Sequence, residues 1–158
     1  MRTLPGTLDG SGLAIAVVAS RFNHPITLRL VEGAGARLAE LGCEEVDVCW
    51  VPGAFELPLA AQAAAATGRY RAIVALGVVI RGETPHFEYV CQGVTDGCQR
   101  VALDWRLPVA FGVLTTDTVE QALARAAKPG EEGGNKGAEA AEVAVEMARL
   151  LESAVRGA

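Results

Sequence analysis

Three stretches of strand length, residues 13–20, 72–80 and 109–114, are apolar at almost every position. A strand without a polar face cannot leave one side in water, so both of its faces need cover. Residues 45–51 supply a further strand, and helical patterns fill the gaps. Residues 23–42 carry Ile26, Leu30, Val31, Ala34, Leu38 and Leu41 at helical spacing, with Pro25 near the start and Gly42 closing the run. Residues 55–67 are Ala-rich, with Pro58 in the first turn and Gly68 at the end. A long helix is predicted over 85–106, with an apolar stripe of Phe87, Val90, Cys91, Val94, Cys98, Val101, Ala102 and Trp105. Thr118 with Gln121 fits a capping box for a short helix ending near Ala127. A Gly- and charge-rich loop follows over 128–135, then an amphipathic helix over 136–155. Strand and helix alternating at this pitch give a parallel, doubly wound α/β layer. The reading is one domain over 1–158, with 1–12 as an extended N-terminal arm.

Aromatic residues make up only 5% of the chain, so Ala, Val and Leu must fill the core. Each fully buried Val or Leu contributes roughly 1.5–3 kcal/mol, so a Phe in a loop stands out. The net charge of −5 argues against nucleic acid or an anionic membrane as partner. A bound phosphate would therefore be held by local geometry. Residues 1–12 lack the apolar segment of a signal peptide, and no apolar run approaches the ~20 residues of a membrane span. Cys43, Cys49, Cys91 and Cys98 show no metal-ligand spacing and read as free, buried thiols in a reducing cytoplasm.

In a doubly wound sheet, ligands bind outside the carboxyl ends of the strands. Four segments leave those ends: Arg21-Phe22-Asn23-His24, Pro52-Gly53-Ala54-Phe55-Glu56, Arg81 to His86, and Thr115-Thr116-Asp117. An aromatic ring, a carboxylate, a histidine and Gly turns thus meet on one rim. Thr84 then Pro85 reads as N-cap and first helical residue. A helix starting there aims unpaired N–H groups at the strand end and makes an anion pocket. His86, in its first turn, is placed to move protons beside that pocket. The pattern suggests chemistry on a phosphorylated small molecule. Gly33-Ala34-Gly35 is no dinucleotide fingerprint, because it lies inside a helix rather than after a strand. His24 reads as a helix-start or surface histidine.

Five segments appear in order: Ser20-Arg21-Phe22-Asn23, residues 51–58 (Val-Pro-Gly-Ala-Phe-Glu-Leu-Pro), residues 77–90, Gly112-Val113-Leu114-Thr115-Thr116, and Asn135-Lys136-Gly137. On these segments the chain resembles the 6,7-dimethyl-8-ribityllumazine synthase family, over about residues 13–151. The resemblance implies a three-layer αβα sandwich around a four-stranded parallel, flavodoxin-like sheet. It implies a transferase of riboflavin biosynthesis with no metal or organic cofactor. The family condenses 5-amino-6-(D-ribitylamino)uracil with 3,4-dihydroxy-2-butanone 4-phosphate to give the lumazine, phosphate and water. By motif, His86 matches the proton-transfer histidine and Phe22 the ring that stacks on the pyrimidine. Ala54, Phe55 and Glu56 match the segment holding the ribityl chain and ring edge. Val78, Val79 and Ile80 match backbone contacts to the uracil, and Glu83 and Thr84 the phosphate turn. Phe111 matches a ring contact and Arg125 the phosphate-binding arginine, both expected from an adjacent subunit. The resemblance also implies small-molecule substrates and a homopentamer, which in some members builds an icosahedral shell of twelve rings, with riboflavin synthase as a partner. The 128–134 loop is a few residues longer than the tight linker of shell-formers, which favours an isolated pentamer.

Each residue also has a plainer reading. A surface histidine is usually just solvated. Phe22 could be a hydrophobic staple, and Glu56 a carboxylate serving a helix dipole. Arg125 could lie on a solvated face, and the Phe87 to Trp105 stripe reads as core or subunit contact. Two other functions fit the scaffold: a flavin- or lumazine-binding protein without turnover, and a structural cage.

Overall fold

The computed structural model describes residues 1–156. Its sheet is parallel throughout, in the order β2-β1-β3-β4, with β1 at Ala14–Ser20, β2 at Glu45–Val51, β3 at Ala72–Ile80 and β4 at Val109–Thr116. The helices are α1 (His24–Glu40), α2 (Leu57–Ala66), α3 (His86–Trp105), α4 (Val119–Ala124) and α5 (Lys136–Arg156). A short 3-10 helix, Ala54–Glu56, precedes α2. This is the parallel, doubly wound α/β layer that the alternation predicted, in the three-layer, flavodoxin-like form that the resemblance implied. Among the described residues no helix is long and apolar enough to cross a membrane.

Strand order and crossover handedness together fix the layers. The chain steps outward from β1 to β2, then returns across β1 to β3 and on to β4. Right-handed crossovers put α1 on one face and α2 and α3 on the other. Alternate side chains of β1 confirm it. Ile15, Val17 and Ala19 pack with Leu30, Ala34 and Leu38 of α1 and Ala141, Ala144 and Val145 of α5. Ala16 and Val18 pack with Leu57 and Ala61 of α2 and Val94, Cys98 and Val101 of α3. All of β1 is buried, as a strand covered twice must be.

Small residues bring the helices close. A Cβ on Gly97 would lie 2.5 Å from the Pro58 ring of α2, and one on Gly93 would lie 2.4 Å from the Phe55 ring. These two glycines, one turn apart on α3, form the flat seat on which the start of α2 rests.

Several boundaries differ from the sequence reading. Helix α1 begins at His24 because Asn23 is left-handed (φ 59°). Gly42 closes it with φ 88°, which glycine adopts without penalty. Strand β4 continues through Thr115 and Thr116, which the sequence reading placed in the turn beyond it. Buried Thr116 is tolerated because its hydroxyl donates to the Thr118 carbonyl at 2.9 Å. The short helix stops at Ala124, ahead of the predicted Ala127. Its capping box forms in shifted form: the Thr118 hydroxyl accepts the Gln121 amide, and Gln121 accepts the Asp117 amide. The cysteines split, with Cys43 and Cys98 buried as expected, Cys91 half-buried and Cys49 exposed on β2. Cys49 departs from expectation because β2 is an edge strand with Glu45, Asp47 and Val48 also exposed. Residues 1–10 carry no helix or strand, but their far end is pinned. The Arg149 guanidinium donates to the carbonyls of Asp9 (2.7 Å) and Ser11.

Candidate active site

The strand order reverses between β1 and β3, and an opening lies there. A cleft of about 660 Å³ sits there, within the usual size of a small-molecule site. Phe22, Gly53, Ala54, Phe55, Glu56, Val78, Val79, Ile80, Gly82, Thr84, His86, Phe87, Tyr89 and Val90 line it. Most residues named from the sequence are therefore brought together. Glu83, Phe111 and Arg125 are not in this lining.

Register builds the cleft floor. Pairing of β3 with β1 ends at Leu76, whereas pairing with β4 continues to Ile80. Strand β3 thus overruns β1, and residues 78–80 border the gap. The Asn23 side chain donates to the Val78 carbonyl at 2.9 Å, so that carbonyl faces the gap. The two-residue alternation of a strand turns the Ile80 main chain the same way and the Val79 main chain toward β4. Val78 and Ile80 are thus the ones placed for backbone contacts, while Val79 offers its side chain.

Phe22 is no staple: it is 71% exposed, and no core residue covers it. Left-handed Asn23 turns the chain sharply after it. The Phe22 amide donates to the Pro52 carbonyl at 3.0 Å, which fixes the ring's base at the cleft mouth. Phe55, also largely exposed, faces the cleft from the 3-10 helix and backs onto Gly93 of α3. Glu56 serves two ends. One carboxylate oxygen accepts the Gly53 amide at 2.9 Å, the local role expected of a helix-start acid, and the residue still borders the cleft.

Helix α3 opens onto this space. It begins at His86 with Pro85 as N-cap, one residue later than predicted. The Thr84 hydroxyl accepts the His86 amide at 3.4 Å, a long version of the expected cap. His86, exposed, lines the cleft with Phe87, Tyr89 and Val90. The latter three were not expected in a site. They lie one and three to four positions after His86, and helical spacing alone puts 89 and 90 on its side. The predicted core stripe is thus buried only at Val94, Cys98 and Val101, its first turn borders the cleft, and Trp105 at its end is exposed.

Arg81 braces this corner. Its guanidinium bonds Asp117 at 2.8 Å and Glu88, and lies 4.4 Å from the Phe87 ring centre. The hydrogen bond from the Arg81 guanidinium, more than its charge, lowers the Glu88 carboxyl from its ordinary value. His24 has a neighbour as well: its ring stacks on Trp50 with centroids 5.0 Å apart.

Phe111 and Arg125 line a second depression, of about 200 Å³, with Thr115, Thr116 and Lys136. The Arg125 guanidinium donates to the Gln121 carbonyl at 3.0 Å and is otherwise exposed. Lys136 pairs with Glu139 at 2.5 Å. An aromatic ring and an open strand edge beside two cations suit a phosphorylated or otherwise anionic ligand. One chain therefore carries an aromatic cleft with a histidine and, separately, a cationic depression.

The family model described as 6,7-dimethyl-8-ribityllumazine synthase matches residues 12–152, nearly the whole chain.

Proposed function

As the chain belongs to the 6,7-dimethyl-8-ribityllumazine synthase family, whose members are transferases of riboflavin biosynthesis, we propose that it catalyses that condensation itself. Its substrates are 5-amino-6-(D-ribitylamino)uracil and 3,4-dihydroxy-2-butanone 4-phosphate. The observation that carries this reading is the meeting of Phe22, Phe55, Glu56, Thr84 and His86 in one cleft at the strand switch point. The aromatic pair suits a flat pyrimidine, the Ile80 main chain suits its polar edge, and Glu56 suits the ribityl hydroxyls. The amine attacks the ketone and loses water as an imine. Phosphate leaves by elimination, and the second nitrogen adds to the carbonyl this uncovers and closes the ring with loss of a second water. Each step moves a proton, which His86 accepts or returns at the cleft wall.

The cationic depression completes the site of a neighbouring copy. Two features support this. Phe111 and Arg125 lie outside the cleft of their own chain. Different apolar side chains also stand exposed on the two faces: Leu59, Leu103 and Trp105 on α2 and α3, and Val119, Val143 and Met147 on α4 and α5. Unlike faces meeting head to tail close into a ring. Members of the family act on small molecules as oligomers, and a pentamer is the form proposed for this chain. The cleft of each copy then receives the Arg125 of the next.

The test is an absorbance assay for lumazine formation from the two substrates, run with His86→Ala. Removing the proton shuttle should lower turnover by about 10²–10⁴-fold. Residual turnover should remain, because holding two substrates together accounts for ~7–11 kcal/mol of barrier by itself. No product from the wild-type protein refutes the enzyme reading and leaves a binding protein. Complete loss in a folded, assembled His86→Ala variant refutes proximity as the main contribution.

A further inference from the structure

Arg125 and Lys136 are eleven positions apart, one just past a six-residue helix and the other at the start of a long one. A helix as short as α4 cannot hold a side chain in place alone. What joins the two is Asn135. Its amide nitrogen donates to the Arg29 carbonyl in α1 at 3.0 Å and to the Ala127 carbonyl at 3.1 Å. Its oxygen accepts the Gly137 and Ala138 amides at 2.9 and 3.1 Å, capping α5. Both donors and both lone pairs are thus used, and only an amide supplies that set. A flipped amide would set donors against donors.

Two glycines clear the space. A Cβ on Gly33 of α1 would fall 2.3–2.5 Å from the Asn135 amide atoms, and one on Gly137 would fall 2.0 Å from the Leu30 carbonyl. Main-chain bonds complete the clasp. The Lys136 amide donates to the Arg125 carbonyl at 2.8 Å, the Ala127 amide to Gly134 at 3.1 Å, and the Gly134 amide to Ala124 at 3.2 Å. The backbones of the two cations are therefore bonded to each other, and Asn135 ties the pair to α1.

We infer that Asn135, seated against Gly33, is the positioning residue of the Arg125–Lys136 anion site. The inference rests on the proposed function, in which Arg125 holds the substrate phosphate. Asn135 touches neither substrate. It sets where the two cations stand, so its loss weakens phosphate capture without altering proton transfer at His86.

The experiment uses the full chain in its assembled form, checked by light scattering and circular dichroism. Asn135→Ala removes the clasp, and Gly33→Ala pushes the amide aside from the α1 side. Asn135→Ser restores a helix cap but is too short to reach α1. All three should raise the Michaelis constant for the phosphate substrate about tenfold, the worth of one misplaced charge-assisted bond. The inhibition constant of inorganic phosphate should rise in parallel. The Michaelis constant for the pyrimidine amine and kcat should stay within about twofold. The serine variant should regain melting temperature relative to alanine without regaining phosphate affinity. Unchanged phosphate constants with a lowered melting temperature would make the clasp structural only and overturn the inference. So would an equal rise for both substrates, or full rescue by serine. Inorganic phosphate titrated by calorimetry against wild type and variants separates this from the reaction assignment. A wild-type chain that makes no lumazine but loses phosphate binding in the variants refutes the function and keeps the clasp. A wild-type chain that binds no phosphate refutes the clasp.

Discussion

Gly93→Ala separates the stability of the fold from the shape of the cleft. The substituted methyl would lie 2.4 Å from one carbon of the Phe55 ring and 2.9 Å from the next, where ordinary contact begins near 3.4 Å. Either α3 or the ring must yield by about 1 Å. Helix α3 is pinned by Val94, Cys98 and Val101 in the core, whereas the ring is 61% exposed. The ring therefore moves, and away from α3 means into the cleft it lines. Stability should not fall, because Gly to Ala inside a helix contributes about 0.8–1.0 kcal/mol. For a chain of this length that is a rise in Tm of roughly 2–4 °C at most, less whatever contact the ring loses. Catalysis should fall, because a 1 Å misplacement at a reacting centre costs up to about 10²-fold. The control lies one turn along the same helix. Gly97→Ala would meet the Pro58 ring at 2.5 Å. That ring is fixed within α2 and cannot swing away, so overpacking should cost about 1–3 kcal/mol. Thermal melts of both variants, with kcat/KM for the pyrimidine amine at saturating phosphate substrate, decide the matter. A Gly93→Ala protein that melts several degrees lower, or keeps kcat/KM within twofold of wild type, refutes the reasoning.

Arg125→Ala should raise the Michaelis constant for the phosphate substrate by about ten- to a hundredfold and leave kcat nearly unchanged, since a charge-assisted bond is worth roughly 1.5–3 kcal/mol. Equal affinity in steady-state kinetics would remove Arg125 from that role. Burial pushes the Cys98 thiol up to about 11, and it is nearly inaccessible. Iodoacetamide at neutral pH should therefore modify exposed Cys49 first and leave Cys98 intact by peptide mass spectrometry. Early modification of Cys98 would mean that α3 is not seated as described. The Arg149 and Arg71 guanidinium groups hold the Glu152 carboxyl below its ordinary value of 4.5. A lowered folded pKa means the stabilisation is present above that value and lost as pH falls below it. Glu152→Gln should therefore cost up to about 1 kcal/mol at neutral pH. Its melting curve should converge with that of the wild type as pH falls well below 4.5, and parallel curves across that acid range would contradict the pairing.

Much of the fold was legible because its cause is local. Residues 13–20 and 72–80 are apolar on both faces, and only a doubly covered parallel strand uses such a run. The rim was legible for the same reason: strand ends fix where the loops emerge, and the cleft lies among those loops. What stayed hidden depends on partners distant in sequence. Thr115 and Thr116 look like a turn until Thr118 is found accepting the buried hydroxyl. The exposure of Cys49 follows from β2 being an edge, which strand order decides and composition does not. Asn135 reads as the last residue of a Gly- and charge-rich loop, and nothing in its neighbourhood shows that it reaches across to Arg29. Gly33 resembled half a nucleotide motif, whereas its reason is the Asn135 amide pressed against it. Gly35 beside it meets nothing.

The division of the site has a topological origin. The crossover rule sends α2 and α3 to one face and α1 to the other, and α4 and α5 return beside α1 once β4 has become the sheet edge. The gap between β1 and β3 then opens where α3 begins, which delivers His86 and its neighbours to the cleft. Strand β4, at the far edge, turns Phe111 and Thr115 toward the α2–α3 face, and its open edge runs beside Arg125 and Lys136 in the second depression. A single copy with this topology keeps His86 and its exposed cations in separate pockets. For a reaction that must both expel phosphate and move protons at one bound molecule, the economical solution is a second copy. Its β4 edge then faces the cleft of the first. Mixing His86→Ala subunits with Arg125→Ala subunits tests this directly, because a shared site lets the first lend its arginine to the second. Read at phosphate-substrate concentrations far below the Michaelis constant of Arg125→Ala, subunit exchange should then restore about a quarter of wild-type sites in an equal mixture, by random neighbour statistics. No recovery in mixed, assembled rings would mean that each chain uses its own arginine.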